Sequence, residues 1–253
     1  MNHRSELPLS SAGLDLLETV RGEFTTILVD PPWQFKNRTG KMAPEHKRLS
    51  RYGTLCLDDI LGLPVQTLSS EQAHIYLWVP NALLPEGLKV LAAWGFQYKT
   101  NIVWHKVRKD GGPDGRGVGF YFRNTTELVL FGVRGKNVRT LSPGRRQVNI
   151  IRTQKREHSR KPDELYTVIE ACSPGPYLEL FARGSRSGWT TWGDQAHDYS
   201  PSWPTYSNHS GNQPVTEAVK GQLRLLEQPI KAYTLTSTVP EEVSGESLPP
   251  QFT

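Results

Sequence analysis

Seven short apolar runs divide the first 195 residues, at 24–29, 73–79, 100–104, 126–133, 148–152, 177–182 and 189–192. Most do not alternate polar with apolar residues. A strand wetted on one face shows period-two alternation, whereas a run such as Ile75-Tyr76-Leu77-Trp78-Val79 must be covered on both faces. Residues 82–94 have helical spacing and stop at Gly95, a C-cap signal. Pro162 suits the first turn of a helix predicted to run to about Cys172, where Ser173-Pro174-Gly175-Pro176 breaks it. Helices set between doubly covered strands predict an α/β fold with a mainly parallel central sheet.

Two polar loops, roughly 34–52 and 107–123, interrupt this pattern, and loops of that length in a compact domain commonly carry function. The glycine-rich stretch 111–119 has neither Walker spacing nor a strict G-x-G-x-x-G, so it is not read as a phosphate cradle. Residues 197–253 hold seven Pro and 13 Ser+Thr, a composition predicting a disordered tail. The domain reading is therefore a lead-in over 1–20, a folded domain over 21–196 and the tail. No apolar run reaches the roughly 20 residues of a membrane span, and the start has no signal-peptide pattern. Two cysteines, Cys56 and Cys172, suit a reduced, cytoplasmic setting and cannot build a four-ligand zinc site. His105 and His158 lack further ligands at metal spacing, so no metal is expected.

The net charge of +5 is unevenly spread. Residues 104–161 carry 15 basic against four acidic side chains, most of the basic ones Arg. Such a concentration fits a polyanionic partner, a nucleic acid rather than a membrane. Lys36 and Arg38, in the first loop, are expected to hold phosphates beside the active site, with salt-sensitive binding.

Asp30-Pro31-Pro32-Trp33 follows the first strand directly. Taken blandly it is a proline turn with a packed Trp. At the carboxyl end of a parallel strand, however, open α/β sheets place their ligands. There a carboxylate, a stiff backbone carbonyl and a flat aromatic suit methylation of an exocyclic amine, whose lone pair is delocalised and a poor nucleophile. Asp30 would accept one N–H as a charged acceptor and the Pro31 carbonyl the other, stabilising positive charge as it develops on nitrogen. The prolines restrict the turn, and Trp33 would stack on the base.

Further motifs follow in order: Tyr52-Gly53-Thr54, Leu77-Trp78-Val79, Val103-Trp104-His105-Lys106, Arg123-Asn124-Thr125-Thr126-Glu127, Lys161-Pro162-Asp163-Glu164, Glu179-Leu180-Phe181-Ala182-Arg183 and Gly193-Asp194-Gln195. With the tetrad they resemble the DPPW-type adenine-N6 methyltransferases, the family of the seventy-kilodalton catalytic subunit of the mRNA adenosine methyltransferase. The resemblance runs from about Phe24 to Gln195. It implies a circularly permuted, Rossmann-like methyltransferase core using S-adenosyl-L-methionine, with the catalytic strand first and the cofactor strand, 177–182, late. By the same resemblance Asp30, Pro31, Pro32 and Trp33 are catalytic, and Lys161, Phe181, Arg183, Asp194 and Gln195 bind the cofactor. It further implies substrate contacts for Tyr52 and Asn124, with a structural role the alternative for Asn124. Without the motifs, Lys161 reads as a solvated lysine ahead of a helix, and Phe181 and Arg183 as core and salt bridge. Glu127 is read as a buttress of the catalytic turn, and Ser185 and Arg186 are given no role.

The expected reaction is adenine-N6 methylation of DNA, by likeness to the bacterial and phage branch. RNA is the alternative substrate, and a non-catalytic nucleic-acid-binding subunit the alternative class. A second methyltransferase-like subunit or a homodimer remains compatible with the motifs. A target base inside a duplex has to be flipped out to react.

Overall fold

The computed structural model describes residues 10–35, 54–108, 110–114, 121–154, 160–194 and 196. Every apolar run becomes a strand: β1 (Phe24–Val29), β2 (Ser69–Val79), β3 (Gln97–Val107), β4 (Thr126–Arg134), β5 (Ile150–Gln154), β6 (Tyr177–Leu180) and β7 (Trp189–Trp192). They form one sheet in the order β5-β3-β4-β2-β1-β6-β7. Four of its six pairings are parallel; β4 runs antiparallel to both neighbours.

The helices explain why the strands do not alternate. α1 (Ser11–Thr19), α2 (Leu57–Leu61), α3 (Val65–Leu68) and α4 (Leu84–Ala93) supply Leu16, Ile60, Val65 and Leu91 to one core, where Ile27, Val29, Ile75 and Leu77 point. α5 (Glu164–Cys172) supplies Leu165, Val168 and Ile169 to a second core on the other face, with Leu28, Tyr76, Trp78 and Trp104. Both faces of β1 and β2 are thus buried, as the composition of these strands demands. Gly87 lets α4 lie against β2, since a Cβ there would stand 2.6 Å from Val79 Cγ2.

Three local readings are adjusted. The helix predicted over 82–94 starts with a 3₁₀ turn, Asn81–Leu83, before α4. α5 begins at Glu164, so Pro162 precedes it, and the Pro162 carbonyl accepts from Leu165 N–H at 3.2 Å. Residues read as a lead-in form α1, which packs through buried Leu16 and receives the Trp192 indole N–H on Asp15 at 2.8 Å.

Strand register builds the working edge of the sheet. Val29 pairs with Leu77 on one side and Leu180 on the other, so β1, β2 and β6 end at one level. Because β4 runs the other way, its start lies at that same edge, Leu128 opposite Val79 and Thr126 opposite His105. The strand late in the chain thus sits directly beside the first one, the adjacency a permuted core requires.

Candidate active site

Asp30 leaves β1 at this edge, its backbone N–H bonded to the Leu180 carbonyl at 3.4 Å. Its Oδ2 lies 3.0 Å from Lys161 Nζ, just ahead of α5. Lys161 is also 3.4 Å from Glu127 Oε2, near the start of β4. Glu127 in turn binds Lys106 from the end of β3. Four charges from four segments therefore form one alternating row, Lys106–Glu127–Lys161–Asp30. Each lysine also stands over an aromatic ring, Lys106 at 4.7 Å from Trp104 and Lys161 at 5.1 Å from Trp78.

The row sets protonation. Burial raises the Asp30 carboxyl above its ordinary value, and Lys161 works against that rise. Burial pushes Glu127 the same way, but Lys161 and Lys106 outweigh it and hold its carboxyl low. Burial disfavours the charge on Lys161, yet Asp30 and Glu127 prevail and keep its ammonium protonated above the usual lysine range. Asp30 is thus the carboxylate of the row closest to taking a proton.

Beside it a cleft is lined by Asp30, Trp78, Lys161, Tyr166, Glu179, Phe181 and Arg183. Phe181 sits at φ 61°, a left-handed conformation costing a bulky residue about 1–2 kcal/mol. The neighbouring strand holds it there. Ala182 N–H donates to the Trp192 carbonyl at 2.9 Å, and the Phe181 ring meets Trp192 edge-on at 5.2 Å. Gly193, at φ 151°, makes this approach possible, because a Cβ would lie 2.8 Å from Ala182 N.

The structure brings Asp30, Lys161, Phe181 and Arg183 to one cleft. Asp194, exposed after β7, does not line it. Asn124 lies near the start of β4, within 3.5 Å of the Asn81 amide. Lys36, Arg38, Tyr52 and Gln195 fall outside the described residues.

One expected role is corrected and another is narrowed. Trp33 is only 6% exposed, packs in the first core and donates its indole N–H to the Trp78 carbonyl at 2.9 Å. It pins the Asp30–Trp33 turn to β2 and presents no face on which a base can stack. The Pro31 carbonyl already accepts Trp33 N–H at 2.8 Å, leaving one lone pair for a substrate. Trp33→Phe keeps a six-membered ring but loses the indole bond and some buried volume, so urea denaturation should show stability lower by about 1–3 kcal/mol. Unchanged stability would release Trp33 from this anchoring role.

Sequence reasoning missed Glu179 and Tyr166. The Tyr166 hydroxyl donates to Glu179 Oε1 at 2.7 Å, and burial, opposed by that bond, pushes the Glu179 carboxyl up to about 7. The signal was a carboxylate inside an otherwise buried run, Leu178-Glu179-Leu180. Arg186, given no role before, stacks 4.5 Å over the Tyr166 ring, ion-pairs with Glu170 at 3.1 Å and lines the cleft.

Lysine and arginine, three carboxylates and aromatic rings around one cleft fit a ligand bearing both signs of charge and a heterocycle. S-adenosylmethionine is such a ligand.

Comparison with known proteins agrees in extent with this domain. The family model MT-A70 matches residues 24–195. A Medicago truncatula protein named as a putative N(6)-adenosine-methyltransferase MT-A70-like is 33% identical over 187 residues, 70% of this chain and 27% of its own. The human N(6)-adenosine-methyltransferase catalytic subunit METTL3 is 29% identical over 192 residues, 75% of this chain and 29% of its own. The Type II methyltransferase M.MunI of Mycoplasma sp is 26% identical over 212 residues, 76% of this chain and 86% of its own. The chain thus spans about a quarter of the length of the plant and animal relatives.

Proposed function

Because this chain belongs to the MT-A70 family, we propose that it is an S-adenosylmethionine-dependent methyltransferase acting on N6 of adenine in DNA. The observation that carries this reading is Asp30 at the carboxyl end of β1, ion-paired to Lys161 at the mouth of the cleft.

When bound, the cofactor supplies an electrophilic methyl group on a sulfonium. Asp30 accepts an N6–H through an oxygen not engaged by Lys161, and the remaining lone pair of the Pro31 carbonyl takes the second. As the N–C bond forms and the S–C bond breaks, positive charge appears on N6, and the carboxylate opposes it in a poorly solvated site. One N6 proton then leaves, and Asp30, its carboxyl raised by burial, receives it before water carries it off. Lys161 keeps Asp30 ionised at the start and offers its ammonium to the cofactor carboxylate. No metal is needed in this scheme.

DNA is favoured because the match covers 86% of the bacterial Type II enzyme. RNA is the second reading, favoured by the 33% identity with an adenosine methyltransferase. Among the described residues no helix is long and apolar enough to cross a membrane, and a cytoplasmic setting is part of this proposal. We assign the activity to residues 21–196 and treat 197–253 as a separate tail. A second methyltransferase-like subunit or a second copy is compatible with this reading.

The test is one assay of labelled methyl transfer to duplex DNA, single-stranded DNA and RNA, with the modified base identified by mass spectrometry. N6-methyladenine in DNA is the expected product. Product in RNA alone would replace the substrate, and no product on any of the three would overturn the reading.

A further inference from the structure

With Trp33 committed to the core, an aromatic partner for substrate bases has to come from elsewhere. Trp78 and Trp104, the other tryptophans near Lys161 and Lys106, are each 2% exposed. Among the described residues three aromatic side chains are strongly exposed: Tyr98 at 40%, Tyr121 at 94% and Phe122 at 84%. Tyr98 pairs with Gly132, toward the opposite end of the sheet. Tyr121 and Phe122 stand at the working edge, just before Asn124 and β4.

Their place is tied to the charged row. Lys106 N–H donates to the Thr125 carbonyl at 2.8 Å, so the segment entering β4 is stitched to the end of β3. The Asn81 amide holds the Thr126 carbonyl and hydroxyl, each at 3.1 Å. Glu127 then reaches Lys161. Two adjacent rings thus lie four and three residues ahead of the anchored Thr125 and stand almost wholly in water. Exposing a tyrosine and a phenylalanine side by side wastes apolar burial unless a partner covers them.

The charge of the flanking sequence indicates which partner. In sequence, residues 104–123 carry Lys106, Arg108, Lys109, Arg116 and Arg123 against Asp110 and Asp114. A protein partner, above all a second copy, would bring a basic surface against this one. A nucleic acid brings phosphates for the cations and flat bases for the rings.

We infer that Tyr121 and Phe122 form a base-stacking platform that holds the nucleotides flanking the target adenine while that adenine enters the Asp30 cleft. The inference rests on the nucleic-acid reading of the site. Stacking tolerates any base, so the platform supplies grip and orientation near Asp30 with little sequence choice.

The experiment uses the full chain and its Tyr121→Ala/Phe122→Ala variant. Binding is measured by fluorescence anisotropy to a labelled oligoadenylate of roughly 20 nucleotides, deoxy or ribo according to which the wild type methylates, and to an abasic strand of equal length. The variant should bind the oligoadenylate at least ~10-fold more weakly, since each lost stack is worth about 1–3 kcal/mol. On the abasic strand the two proteins should bind alike. The slope of log Kd against log salt should be unchanged, because no phosphate contact is removed. Thermal melting and cofactor affinity serve as controls of folding. Equal affinity of both proteins for oligoadenylate overturns the platform. An equal loss on the abasic strand also overturns it, by making the effect one of backbone contact. So does a shift from dimer to monomer by sedimentation, which would make the rings a subunit contact. If the wild type methylates neither nucleic acid, the functional reading fails; if it does and the variant binds as well, only the platform fails.

Discussion

Asp30→Ala should abolish methyl transfer, with Asp30→Asn slowing it about a thousandfold, near the upper end of what one preorganised polar group contributes. Asparagine keeps the shape but turns the charged acceptor into a neutral amide, one side of which is a donor. Facing Lys161 at 3.0 Å, that amide will turn its oxygen to the ammonium and its NH2 toward the substrate amine. Two donors then oppose each other where an acceptor is required. Folding should survive, because Lys161 keeps Glu127 as its counter-charge. The decisive measurement is single-turnover transfer of a labelled methyl group, with cofactor affinity followed by calorimetry. Full activity in Asp30→Ala would sink the assignment of this carboxylate.

Lys161→Met should act differently, on protonation and binding together. Removing the cation leaves Asp30 and Glu127 close together, with only Lys106 beside Glu127. Burial already raises Asp30, and Lys161 is the largest influence opposing that rise. Its loss raises Asp30 further, so the acid limb of kcat/KM moves to higher pH. The stability effect has a matching sign. A carboxyl raised in the folded state binds more protons there than in the unfolded chain, so stability falls as pH climbs from the ordinary carboxylate value through the raised one. Near neutral pH the variant should lose about 2 kcal/mol, less than the ~3–5 kcal/mol of a fully buried pair because both groups are partly exposed. Cofactor affinity should drop at least ~10-fold through loss of a charge-assisted bond. An unmoved acid limb with unchanged stability would show that the Lys161–Asp30 pair does not set the site.

Strand positions were legible because a doubly covered strand has to be apolar at successive positions, and Leu28 beside Ile27 and Val29 says so locally. The placing of Asp30 at a strand end was legible for the same reason, since Pro31 and Pro32 cannot continue a buried ladder. The direction of β4 was not legible. Antiparallel and parallel central strands share the same composition, and only the pairing of Leu128 with Val79 reveals it. Glu127 is the telling case. Read as a buttress, it becomes the link between two lysines because the reversal of β4 carries its first turn to the edge where β1 ends.

The sequence by itself determined the seven strands, the burial of the first two on both faces, and the carboxylate that ends the first of them. These follow from local composition and stiff turns, which neighbours in sequence dictate. Tertiary structure alone decided that Lys106, Glu127, Lys161 and Asp30 stand in one row and that Trp33 turns inward. The row joins residues more than a hundred positions apart, and its charges take their protonation from one another once burial has stripped most of their water. Trp33 turns inward with its indole N–H on the Trp78 carbonyl near the end of β2, a partner brought within reach only by the tertiary fold.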